Sequence, residues 1–226
     1  MQVRGRALHF GVHVQGQRTD WREYVRSVQA IEDLGYGSIW TFDHLLPFSG
    51  DVGGACFETL TTLGALCSTT ARARLGTLVH GVVYRHPAIL AKALAQVDQM
   101  SGGRLECSLG AGWAEQEFHA YGMEFPSLAE RYARLEEAMQ LVKLLWTEPR
   151  VTFRGRYYNA DNAPCEPSLS SAPILRLRSV APAWVPCGWR RDTPTGLMSS
   201  RHRRNVATLG PHCDGCAKTL AGTLMI

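Results

Sequence analysis

Three short stretches of this 226-residue chain place titratable or backbone-exposing residues directly after an apolar run. In SIWTFDHLLPFSG (38–50), Ile39, Trp40 and Phe42 lead into the acid–imidazole pair Asp43-His44. TLVHGVVYRHP (77–87) carries His80 and His86, and SLGAGWAEQEFHAYG (108–122) carries Gly110, Gly112 and Trp113. Polar groups at the end of a buried strand are costly unless they are paired, solvated or used. The two glycines let backbone N–H groups approach an anion, and Trp113 offers a flat apolar surface. One such marked end reads most simply as a satisfied pair capping a neighbouring loop. Three marked ends on one rim point to chemistry instead.

The elements that must position these residues alternate in type. Strand signals fall at 7–14, 37–42, 74–83 and 103–112. Between them lie helix signals: one capped by Asp20 and stopped at Gly35, one over 57–70, and one opened by Pro87. SLAERYARLEEAMQLVKLLW (127–146) is the strongest helix. Ser127 and Glu130 form its capping box, and Leu128, Tyr132, Leu135, Met139, Val142 and Trp146 make its stripe. A hairpin turning at Arg154-Gly155 follows over 151–160. Four β-then-α units in series predict a parallel sheet with right-handed crossovers, as a barrel or an open doubly wound sheet. Periodicity does not choose between them. In either case the carboxyl ends of the strands form the active rim.

Composition narrows the class. With 45% hydrophobic and 19% charged residues the chain is globular in character, and no run approaches the roughly 18 apolar residues of a membrane span. The N-terminus lacks a secretory h-region and the seven cysteines are scattered, so a reducing cytoplasm is expected. Residues 1–166 carry 16 Lys+Arg against 18 Asp+Glu, whereas 167–226 carry 8 against 2. That basic tail has few aromatics and no recognition motif, so no nucleic-acid partner is expected. GAGWAE is not GxGxxG, and Glu115 suits a pyrophosphate poorly. Cys187, His202, His212, Cys213 and Cys216 lack the second regularly spaced pair of a zinc site, so no metal is expected. Neither a G-x-S-x-G elbow nor a P-loop is present.

GYGSIWTFDHLLP, LGTLVHGVVYRHPAILAKALAQVDQMSGGRL and LGAGWAEQEFHAYGMEFPSLAERYARLEEAMQLVKLLWTEP together resemble the luciferase-like monooxygenase superfamily, in its coenzyme F420-dependent branch. The resemblance runs over about residues 8–166. It implies a TIM-type (β/α)8 barrel, with F420, or alternatively FMN, lying across the carboxyl-end rim. It implies further that His44 faces the cofactor ring and positions or protonates a small-molecule substrate, with Asp43 orienting it. A non-prolyl cis peptide is implied near Leu78, Val79 and His80, behind the ring. Gly110, Ala111 and Gly112 would meet the cofactor through their backbone. Some deazaflavin enzymes place a proton-donating glutamate directly after these glycines, where this chain has Trp113. The implied activity is hydride transfer between F420 and an organic substrate. An FMN monooxygenase and a non-catalytic remnant are the alternatives.

After Pro167 the strand and helix periods stop, which divides the chain into a barrel portion, 1–166, and an atypical tail, 167–226. Where the family has a glycine-rich phosphate turn, the chain has CGWRRD (187–192). Codons for those residues, read one base forward, can encode Ala-Gly-Gly-Gly-Gly-Thr, and a change of reading frame between about 167 and 185 is the expectation. A barrel with altered later strands leaves an edge that invites aggregation or pairing with another chain, a homodimer included.

Overall fold

The computed structural model describes residues 2–3, 6–7, 9–48, 51–171, 177–180 and 224–225. The strands are β1 (Gln2–Val3), β2 (Arg6–Ala7), β3 (Gly11–His13), β4 (Ser38–Thr41), β5 (Arg74–Thr77), β6 (His80–Gly81), β7 (Leu105–Gly110), β8 (Val151–Arg154), β9 (Asn159–Ala163), β10 (Leu177–Val180) and β11 (Leu224–Met225). The helices are α1 (Trp21–Asp33), α2 (Thr59–Thr69), α3 (Pro87–Met100), α4 (Glu115–Ala120) and α5 (Leu128–Thr147). The main sheet runs β10-β7-β5-β4-β3-β11, with β6 also on β7. Within this sheet every pairing among β10, β7, β6, β5, β4 and β3 is parallel, and β11 meets β3 antiparallel. The helical connections between parallel strands make this part of a β/α barrel.

Side-chain alternation along the strands sorts two interiors. Ile39, Leu75 and Leu105 stand in register across β4, β5 and β7, each fully buried. They belong to the same apolar cluster as Leu63 and Leu66 of α2, Leu90 and Leu94 of α3, and Leu141 of α5. One residue on, Trp40 points the other way and lies over Gly76, where a Cβ would come within 2.6 Å of the indole. A Cβ at Gly11 would stand 2.8 Å from Trp40 Nε1. The indole thus spans three strands because two of them lack a side chain beneath it. Further along, the hydroxyls of Thr41, Thr59 and Thr77 form a buried triangle with sides of 2.8, 3.0 and 3.0 Å. It ties two strand ends to the first turn of α2.

Caps fall where the sequence places them. Asp20 accepts from Glu23 N at 2.9 Å, and Ser127 Oγ from Glu130 N at 3.3 Å. The Glu130 carboxylate turns instead to Arg134, so the second half of the capping box is not formed. The expected third strand, 74–83, is two short strands separated by a cis Leu78–Val79 peptide. The expected hairpin is present as β8–β9, but Arg154 is still in the strand, the turn falls at 155–158 and the second strand runs on to Ala163.

Beyond Pro167 the structure adds an element that the sequence pattern lacks. Leu177–Val180 pairs parallel with β7, Val180 opposite Gly110. The run is only four residues long and holds two polar ones, too few to show a period. The approach to it is fastened along α3. Lys92 Nζ donates to the Glu166 carbonyl at 2.7 Å, and the buried Asp98 carboxylate accepts from Ser170 N at 2.8 Å and Ser171 N at 2.9 Å. Residues 187–192, on which the frame change was argued, lie outside the described residues, as do Cys187, His202, His212, Cys213 and Cys216. Among the described residues no helix is long and apolar enough to cross a membrane, and no group of metal-binding side chains forms.

Candidate active site

Asp43 and His44 leave the end of β4 in different directions. Asp43, 3% exposed, receives both arms of the Arg85 guanidinium, at 2.7 and 2.8 Å, and the Gly81 N–H at 3.0 Å. Arg85 reaches on to Glu58 at 2.7 Å, and Glu58 caps α2 by accepting from Thr61 N. The expectation that Asp43 orients His44 is therefore corrected. A bidentate guanidinium satisfies its oxygens in a geometry that an imidazole cannot match. Behind it lies His80, fully buried, its Nδ1 3.9 Å from Asp43 and neither ring nitrogen hydrogen-bonded among the described residues. Burial pushes the His80 pKa down to about 4, against the pull of the Asp43 charge.

The partner of His44 is Glu117, on α4. Its Oε1 lies 2.8 Å from His44 Nδ1, and Oε2 accepts from the Tyr84 hydroxyl. Leu46 N–H adds a longer bond at 3.4 Å. Burial at 3% exposure favours the neutral acid, but the bonds from His44 and Tyr84 outweigh it and hold the Glu117 carboxyl below the usual range. Sequence reading missed Glu117, Tyr84 and Arg85, although all three stand inside the segments that drew attention. The available signal was the helical spacing within AEQEFHA, which turns Glu117 and Phe118 inward together.

The chain between β7 and α4 is shaped for this delivery. Gly112 has φ +77°, and a Cβ there would also stand 2.6 Å from Val83 Cγ2. Arg131 donates to the Gly112 carbonyl and so pins the turn. Gly110 faces Val79, whose Cγ2 would collide with any Cβ at that position, and its carbonyl accepts from Val82 N. The room these glycines leave is filled by the protein's own valines. Ala111 is buried between them.

Around His44 the surface is aromatic. Its ring centroid lies 5.3 Å from Phe42, 5.5 Å from Phe48 and 5.3 Å from Trp113. Trp113 is 65% exposed and Phe48 46%. On the other side of Phe42, at 6.1 Å, sits His13, whose Nε2 is buried without a partner among the described residues. Burial, with the nearby His44, lowers the His13 pKa. Thus the rim gathers His44, Gly112 and Trp113 beside Glu117, while Asp43 and His80 lie beneath it.

The family model for luciferase-like monooxygenases matches residues 7–217, nearly the whole chain. The chain belongs to the luciferase-like monooxygenase family. The match continues past Pro167. An F420-dependent glucose-6-phosphate dehydrogenase of Amycolatopsis mediterranei is 34% identical over 157 residues, covering 69% of this chain and 47% of that protein. One from Kineococcus radiotolerans is 41% identical over 138 residues, 61% of this chain and 40% of its own length. Among solved structures, an F420-dependent secondary alcohol dehydrogenase in complex with an F420-acetone adduct superimposes with a TM-score of 0.69 at 25% identity. That match covers 76% of this chain and 52% of the other. A monooxygenase from Streptomyces bottropensis gives 0.65 at 26%, covering 76% and 53%. The chain spans about half the length of the curated relatives it matches.

Proposed function

We propose that this chain carries the catalytic rim of a coenzyme F420-dependent oxidoreductase, which moves a hydride between the deazaflavin and a hydroxyl-bearing carbon of a small molecule. The observation that carries the reading is the bond between His44 Nδ1 and the buried Glu117 carboxylate. An ionised carboxylate only accepts, so Nδ1 holds a proton, and in the neutral ring that leaves the lone pair on Nε2. No described residue bonds Nε2, which leaves it free for a substrate hydroxyl. The relatives' names, dehydrogenases of a sugar phosphate and of secondary alcohols, support a carbinol as the reacting group.

The residues present fit a planar heteroaromatic cofactor. His13 Nε2 is a buried polar atom without a partner among the described residues, and the flat face of Trp113 stands open beside His44. Of the residues expected to hold the group, Leu78, Val79, Gly112 and Trp113 are open to it, whereas His80, Gly110 and Ala111 are buried by the protein itself and would act from behind them. When bound, the deazaflavin supplies the hydride acceptor or donor at its central ring. His44 takes the hydroxyl proton on Nε2 as the carbinol C–H bond breaks, and returns it in the reverse direction. Glu117 stabilises the imidazolium; Tyr84 and the Leu46 N–H hold Glu117. Asp43 is a positioning residue, bracing the strand end through Arg85.

Titration of F420 fluorescence against the protein tests the reading, with His44→Ala beside it. Saturable quenching by both proteins, and at least about a hundredfold lower turnover in the variant, is the expected pair, since a general base contributes 10²–10⁴-fold. Quenching of FMN alone would move the chain to FMN-dependent monooxygenation. Quenching of neither would leave it a non-catalytic remnant.

A further inference from the structure

We infer that Trp113 sets specificity at this rim, making its substrate side an apolar wall that takes a neutral cyclic alcohol or ketone in preference to a sugar phosphate. The inference rests on the hydride-transfer reading for its chemistry, but the surface argument comes from the chain itself. Trp113 presents its indole to solvent at 65% exposure while its edge meets the His44 ring at 5.3 Å. Phe48 stands 6.5 Å from that indole and 5.5 Å from His44. A substrate whose hydroxyl reaches His44 Nε2 must therefore lay its carbon frame along tryptophan and phenylalanine. Large exposed aromatics grouped around one free imidazole nitrogen are unusual on a surface unless apolar matter covers them.

The charges near the rim argue the same way. A phosphate dianion needs donors that are not already engaged, since burying it without them is costly. Among the described residues near the rim, Arg85 is committed to Asp43 and Glu58, Arg131 to the carbonyls of Pro126 and Gly112, and Arg18 donates to the Asp51 carbonyl. Of the acids, Glu117 is spent on His44 and Tyr84. Glu115 points outward, 3.8 Å from His119 across one helical turn. His44 is then the one described group placed to exchange the substrate proton. The balance is complete with it: the O–H proton goes to Nε2, the C–H bond breaks as hydride passes to the deazaflavin, and C=O forms.

The test follows the Trp113 indole N–H and His44 imidazole signals by NMR, each assigned from its loss in Trp113→Phe or His44→Ala. Cyclohexanol and glucose-6-phosphate serve as probes, with and without F420. Cyclohexanol is expected to move both signals saturably, and glucose-6-phosphate neither. Trp113→Glu, a change at an exposed position, should weaken cyclohexanol binding at least tenfold; Trp113→Phe should keep it within about threefold. The inference is overturned if saturating cyclohexanol shifts nothing, if Trp113→Glu binds it equally well, or if glucose-6-phosphate binds as tightly. Failure of the function reading looks different: F420 fluorescence then stays unquenched while the cyclohexanol shifts persist. Preferred turnover of glucose-6-phosphate would sink the inference and leave hydride transfer standing.

Discussion

Replacing Arg85 by methionine separates a brace from a catalytic partner for Asp43. The change removes two charge-assisted bonds at 2.7 and 2.8 Å and leaves the carboxylate, 3% exposed, with only the Gly81 N–H at 3.0 Å. Removing one member of a buried ion pair costs roughly 3–5 kcal/mol because a charge is stranded. The Arg85 side chain is 17% exposed and the Gly81 bond survives, which places the expected loss near the lower end, about 3 kcal/mol. With a urea m-value of about 2 kcal/mol/M, the unfolding midpoint should fall by about 1.5 M. Adding Asp43→Asn removes the stranded charge and should recover at least about 1.5 kcal/mol, a coupling expected of residues in direct contact. Equilibrium urea unfolding of wild type, both singles and the double variant measures this. A midpoint shift below about 0.4 M for Arg85→Met, or no recovery in the double variant, would refute the assignment.

Glu117→Gln deletes a charge-assisted bond worth about 1.5–3 kcal/mol to the imidazolium, so kcat should fall roughly 10- to 150-fold with KM little changed. Steady-state kinetics with F420 checks it. Gly110→Ala should destabilise by about 1–3 kcal/mol through overlap with Val79, and Val79→Ala in the same chain should relieve part of that, as thermal unfolding will report. For His80 the folded pKa, about 4, lies below the unfolded 6.5, so the unfolded chain takes the proton first on acidification. Its contribution is fully present above pH 6.5 and is lost as pH falls towards 4, on the order of 3 kcal/mol in all. His80→Gln should flatten the stability profile over that window; parallel wild-type and variant curves would show the assignment to be wrong.

The strand–helix order and the rim were legible because periodicity and caps are local. Asp20, Ser127 and Pro87 start helices in the structure as they do in the sequence. The pairings at the site were not, because each joins distant segments: His44 to Glu117 across 73 residues, Asp43 to Arg85 across 42. The family resemblance implied Asp43 as the residue that orients His44, yet neighbouring residues at a strand end project apart. Strand β10 was invisible for a different reason, since four residues carry too little pattern and its place is set by the ladder on β7.

Trp40, lying across Gly11 and Gly76, has a consequence for the history of the sequence. While the indole is in place, neither glycine position can accept a side chain, and while both remain bare, shrinking the indole opens a void inside the barrel. The three positions form a ratchet. Descendants of this chain must keep all three. Changing the tryptophan first opens a hollow beneath the rim and still leaves Ser38 Oγ against a Cβ at position 11 and the Glu106 carbonyl against one at position 76.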